Sequence, residues 1–184
     1  MPVRPLLVLA ALLVAGCAST ALPPGPATVD TNRPADGLLA RPDLQALVDA
    51  QVRRDGAALA QALASPDSAV RARAAFALGS VQDAEAVADL RRLLDDAVPA
   101  VRADAAFALG QTADSSAGVA LVITLRQEAT PSVLAELVEA LGKIGGQADL
   151  RAVLEAPLPD LLEPHRALAL ARFGLRGVTS DAWA

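Results

Sequence analysis

Val70-Arg71-Ala72-Arg73-Ala74-Ala75-Phe76-Ala77-Leu78-Gly79 returns 31 residues later as Val101-Arg102-Ala103-Asp104-Ala105-Ala106-Phe107-Ala108-Leu109-Gly110. Anchored on the closing glycine, the series continues with Val133 to Gly142 and His165 to Gly174, each at a spacing of 32. A fixed period of this length marks a solenoid, in which each unit buries its apolar stripe only by stacking on its neighbours. Numbered from the valine position at 100° per residue, Val70, Ala74 and Leu78 share one stripe, as do Val101, Ala105 and Leu109, and Val133, Leu137 and Leu141. Those stripes should pack against a partner helix.

Outward from these segments the same plan repeats. Ala57 to Ala64, a turn through Ser65-Pro66-Asp67, and Ala69 to Leu78 read as one helical hairpin, opened by a break at Gly56. Ala84 to Asp95 with Pro99 to Leu109, and Ser115 to Glu128 with Val133 to Leu141, read as the next two. Gln147 to Glu155 with a last helix from Leu161 or Pro164 to Phe173 reads as the fourth. Proline falls near the start of each second helix, where a missing N–H costs nothing, and Gly79, Gly110, Gly142 and Gly174 fall where a left-handed C-cap residue is expected. Pro42 and Asp43 open a capping helix with a wet face around Gln51, Arg53, Arg54 and Asp55.

The composition agrees with an all-α chain. Hydrophobic residues make up 53%, many of them alanine, the best helix former and small enough for close helix approach. Aromatic residues are 2%, with no tyrosine, and 16 Lys+Arg against 21 Asp+Glu leave a net charge of −5. Such a surface offers neither stacking platforms nor surplus positive charge to nucleic acid.

The first residues form a separate signal. Arg4 precedes an apolar run from Pro5 to Gly16, too short for a bilayer span of about 20 residues and suited to the apolar region of an export signal. It ends in Val14-Ala15-Gly16-Cys17, which resembles the lipobox of bacterial lipoproteins, with Val14 where leucine is commonest. The resemblance implies a signal peptide over residues 1–16 and lipidation of Cys17. Ala18 after the cysteine implies sorting to the outer membrane, on its periplasmic face. Cys17 is the sole cysteine, so no disulfide forms within the chain. Residues 17–40, with Pro23-Pro24-Gly25-Pro26, read as a tether. Residues 41–184 are left for the repeat domain.

Two segments, 70–79 and 101–110, resemble the HEAT-like repeat associated with phycobilin lyases. The third unit departs by Leu134 in place of arginine and the fourth by His165 in place of valine. The resemblance covers roughly residues 56–174. It implies a right-handed α-solenoid of about four hairpins plus the capping helix, with second helices lining a concave face. It does not by itself imply lyase activity.

Positions two, three and six of each second helix point away from the packed stripe. They hold Ala72, Arg73 and Phe76, then Ala103, Asp104 and Phe107, then Ala135, Glu136 and Glu139. One reading makes Phe76 and Phe107 an apolar ledge for a peptide or partner helix, flanked by the charged residues. The other buries both rings in the seam between neighbouring second helices. Arg71, Arg102 and Arg166 recur at position one, suited to bonding loop carbonyls or carboxylates such as Asp67 and Asp96. His165, the sole histidine, has no ligand set around it in sequence and reads as a residue at a helix start. Arg91-Arg92 reads as a solvated convex face, and Trp183 as a cover for the last hairpin.

No cofactor or metal is expected. The leading functional expectation is a non-enzymatic, lipid-anchored envelope scaffold for an unidentified protein partner, with the membrane reached through the lipid and no nucleic acid bound. The alternative is a phycobilin-lyase-like enzyme or an accessory subunit of an envelope enzyme complex.

Overall fold

The computed structural model describes residues 41–179. The export signal, Cys17, the tether and Trp183 lie outside the described residues.

Among the described residues all regular structure is helical: α1 Pro42–Arg53, α2 Gly56–Ala62, α3 Ser68–Val81, α4 Val87–Leu93, α5 Pro99–Gln111, α6 Gly118–Gln127, α7 Pro131–Ile144, α8 Gln147–Glu155 and α9 Glu163–Leu175. Short 3₁₀ turns at Ala84–Ala86, Ser115–Ala117 and Asp160–Leu162 lead into α4, α6 and α9. The four expected hairpins are α2/α3, α4/α5, α6/α7 and α8/α9, and α1 packs on α3 as the N-terminal cap.

Helix starts follow the local chemistry. Pro99 and Pro131 occupy first-turn positions of α5 and α7, where the absent N–H has no intrahelical partner to lose. Asp55 and Asp67 cap α2 and α3 by accepting from the backbone N–H of Ala58 and Ala69. Gly56 is therefore the first residue of a capped helix rather than a break. A side chain there would meet Asp83 Oδ2 at 1.6 Å, so the glycine makes room for the next unit.

The second helices α3, α5, α7 and α9 lie side by side, and each also packs on the first helix of its own hairpin. The expected stripe is buried: Ala74, Leu78, Val101, Ala105, Leu109, Val133, Leu137 and Leu141 are fully covered and Val70 nearly so. Ala75, Ala77, Ala106, Ala108, Val138 and Ala140 are buried with it, so the arc of burial is wider than one stripe. Alanine keeps this arc thin enough for neighbouring backbones to meet.

The expectation that the repeat glycines cap their helices is not met. Each helix continues past its glycine, to Val81, Gln111, Ile144 and Leu175. The left-handed turns are taken instead by Arg54, Gln82 and Ala113, with Gly177 in the last unit. The glycines serve the crossings. A methyl group on Gly79 would lie 2.7 Å from Ala108 Cα, on Gly110 2.8 Å from Ala140 Cα, and on Gly142 2.7 Å from Ala169 Cα. At Gly174 it would meet nothing within 4 Å, because no further helix follows α9 among the described residues.

Candidate protein-binding face

The side of the second-helix layer turned away from the first helices carries the residues singled out from the sequence. Arg73, Asp104 and Glu136 share one register position on α3, α5 and α7, and Phe76, Phe107 and Glu139 share the next. All are at least partly exposed.

The two phenylalanines are brought together. Their ring centroids are 5.2 Å apart and their planes differ by 12°, an offset stack across the α3/α5 seam. Cations close both ends: the Arg73 guanidinium lies 5.4 Å from the Phe76 centroid and Lys143 Nζ 5.5 Å from the Phe107 centroid. Phe107 rests above Gly79, whose missing methyl would come within 2.9 Å of the ring. Phe76 keeps 41% of its surface exposed. The pair thus fills the seam with one ring and presents the other, combining the two expectations.

Next to the stack the surface turns acidic. Burial, with the nearby Glu136 carboxylate, pushes Asp104 up to about 6 against the pull of Arg73. Burial and then Glu139 likewise raise Glu136. Burial works against the charge of Glu139 too, but bonds from Arg172 (3.2 Å) and His165 Nδ1 (3.1 Å) prevail and hold it below its usual range. Nothing near His165 in the chain announces its contact with Glu139. It joins residues 26 apart, on the neighbouring second helices α7 and α9. Arg73 also bonds Gln51 of α1, while its Nη1 is buried without a partner.

The recurrent arginines at position one lie elsewhere and are structural. Arg71 grips Asp96 through two bonds of 2.7 and 3.0 Å and also donates to the Ser65 and Pro66 carbonyls. Arg102 grips Glu128 at 2.7 and 3.2 Å and donates to the Asp96 carbonyl. Arg41 reaches Asp67 at 2.6 Å. In every case an arginine of one unit holds the turn acid of the next, 25 or 26 residues downstream. The ladder stops at Leu134, which the third helix buries where the others have arginine. Arg166 bonds only its own hairpin, through Leu154 and Ala156 carbonyls at 2.7 Å and Glu163 at 3.2 Å. Asp95 and Asp96 differ in role accordingly: Asp96 is a staple acceptor and also receives the Val98 N–H. Arg92 pairs with Asp89 on the exposed side of α4.

Stacked helical hairpins joined through their second helices define an α-solenoid. Residues 56–128, the segment from α2 through α6, match the family model for HEAT repeats, and α7, α8 and α9 continue the same packing. No curated protein matches the chain. HEAT repeats commonly mediate protein–protein interaction, for which the open face of a solenoid supplies the surface.

Proposed function

We propose that the protein is a lipid-anchored scaffold of the bacterial cell envelope whose second-helix layer forms a concave docking face for another protein. The observation that carries the docking face is the Phe76–Phe107 stack with its exposed outer ring, set beside a wall of Asp104, Glu136 and Glu139. A partner segment fits this face if it lays an apolar side chain on Phe76 and places a basic one against the acids. The lipobox-like run ending at Cys17 supports attachment through lipid, and Ala18 supports the outer membrane as the destination.

Cross-linking in intact cells followed by mass spectrometry tests the docking face. The double variant Phe76→Asp/Phe107→Asp should lose a set of partners that the unaltered chain captures. If a folded double variant captures the same partners, the face is not the docking surface. The anchor is tested separately: labelled palmitate should enter the native chain and not Cys17→Ala, and label persisting in the variant would refute lipidation at that cysteine.

A further inference from the structure

The charges on the second-helix face divide into those already engaged and those left open. Glu139 is engaged, since Arg172 and His165 both bond it. Asp104 and Glu136, half-buried on the neighbouring helices α5 and α7, have neither a hydrogen bond nor an ion pair among the described residues. The Glu136 charge bears adversely on Asp104, and the Glu139 charge on Glu136. The cations around them are turned elsewhere. Arg73 bonds Gln51 and lies over Phe76, Lys143 lies over Phe107, and Arg172 and His165 hold Glu139. Where this fold buries a carboxylate between units, as at Asp96 and Glu128, an arginine grips it through two bonds. Asp104 and Glu136 are such carboxylates without the arginine.

The open pair lies beside the open ring. The phenylalanine stack spans the α3/α5 seam and the carboxylate pair the α5/α7 seam, so their centres are one interhelical spacing apart, about 10 Å. Residues two and four apart on one side of an extended strand are separated by about 7 and about 13 Å, and both miss that distance. In an α-helix, residues seven apart share a face at about 10.5 Å. Two carboxylates reaching from the two sides of one seam suit the fork of a guanidinium better than the point charge of an ammonium. The acids lie on α5 and α7, Glu139 among them, which favours the positive N-terminal end of a partner helix there and so places its basic residue first.

We propose, resting on the docking face described above, that its occupant is an α-helix of another protein that sets an arginine between Asp104 and Glu136 and, seven residues later, an apolar side chain on Phe76. Bound in this way, the partner helix crosses the second helices from α7 toward α3 rather than running along any one of them.

A synthetic alanine–glutamine helix of about 20 residues, long enough to be helical alone, tests this when it carries one arginine and, seven residues later, one leucine. It is titrated into the full chain in detergent solution at about 150 mM salt, where long-range attraction to an acidic protein is screened. The phenylalanine ring protons are the readout: Phe76 and Phe107 report the face, and Phe173, fully buried, is the internal control. The Phe76 and Phe107 signals should move with dissociation on the order of 1 mM or tighter while Phe173 stays in place. Replacing the peptide's arginine by glutamine should weaken binding about tenfold, and by lysine about threefold. A peptide of the same composition with the two residues five apart, on different sides of its helix, should also bind about tenfold more weakly. In Asp104→Asn/Glu136→Gln, shown to be folded by circular dichroism, the preference for arginine over glutamine should vanish.

No ring shift with the arginine peptide up to about 10 mM overturns the proposal. Equal binding of the arginine and glutamine peptides, or of the two spacings, overturns it as well, and so does an arginine preference that survives in the double variant. Cross-linking in cells separates its failure from that of the docking face. If Phe76→Asp/Phe107→Asp loses its partners but the peptide does not bind, the face docks a protein and this helix is not what it takes. If the cross-linked partners survive in that variant, the docking face falls and this proposal with it.

Discussion

A single methyl group should have opposite effects at Gly142 and Gly174, which occupy the same repeat position. Alanine is better than glycine in a helix by about 1 kcal/mol. At Gly142 the added carbon would sit 2.7 Å from Ala169 Cα and 2.8 Å from its Cβ, and backbone cannot swing aside. Gly142→Ala should therefore cost about 2 kcal/mol net as α7 and α9 are forced apart. Gly174→Ala, with open space around it, should gain about 1 kcal/mol. Urea unfolding of the dilute chain measures both. Equal signs would mean that the crossing glycines are not spacers. At the left-handed position Gln82, with φ of 56°, Gln82→Gly should add about 0.5 kcal/mol in the same assay, relief of backbone strain exceeding the entropy glycine brings to the unfolded chain.

Between elements, the staples that join hairpins make the balance depend on pH. Burial raises Glu128, but bonds from Arg102 and from the Thr130 and Ala129 N–H groups outweigh it and hold the carboxyl at about 2. A carboxyl whose folded pKa lies below its usual 4.5 adds stability that is complete above that value. That contribution is lost as pH falls toward 2. Arg102→Ala should cost about 3 kcal/mol at neutral pH, since it leaves the Glu128 carboxylate, with a 5% exposed side chain, buried without its counter-ion. It should also flatten the acid limb of a thermal-midpoint series between pH 5 and about 2. Asp104 runs the other way. Its folded pKa of about 6 lies above its usual 3.8, so its penalty is absent below 3.8 and grows as pH rises through 6. Asp104→Asn should raise stability at pH 7 by about 1 kcal/mol, discounted for partial exposure, and change nothing below pH 4. A variant stabilised equally at both pH values would contradict the assignment. If the acidic wall binds a partner, the same substitution should weaken capture, so this position exchanges stability for charge.

The hairpins and their buried stripe were readable because a period of 31 to 32 residues and a helical spacing coincide on Val70, Ala74, Leu78 and their equivalents. The expectation of capping glycines fails because a glycine closing a helical segment satisfies two physical demands alike, a left-handed turn and a close crossing. Only the neighbouring helix distinguishes them. The acceptors of Arg102 and His165 were missed for a related reason: Glu128 and Glu139 lie 26 residues away, and local spacing carries no trace of a contact between units. Asp96, expected from the sequence among the acceptors for these arginines, is the one Arg71 reaches.

In the whole described array, each unit touches only its neighbours, so resistance to opening should rise from the ends inward. α5 and α7 are packed on both sides by second helices, whereas α9 is packed on one. Hydrogen exchange of the dilute chain followed by mass spectrometry should show slowest exchange in α5 and α7 and fastest in α1 and α9. Exchange at one common rate throughout would indicate a single all-or-none transition instead.

The glycine–alanine crossing is the same at the first two seams, where Gly79 meets Ala108 and Gly110 meets Ala140 at equivalent positions, which makes these units interchangeable parts; Gly142 meets Ala169 one turn nearer the start of its helix. An in-frame duplicate of residues 80–110 would offer its glycine to the alanine that follows and its alanine to the glycine before it. Arg102 of the first copy would find the turn acid of the second. Growth by copying one such block therefore needs no new joint to be invented, and the reach of the platform can change while its fastening stays the same.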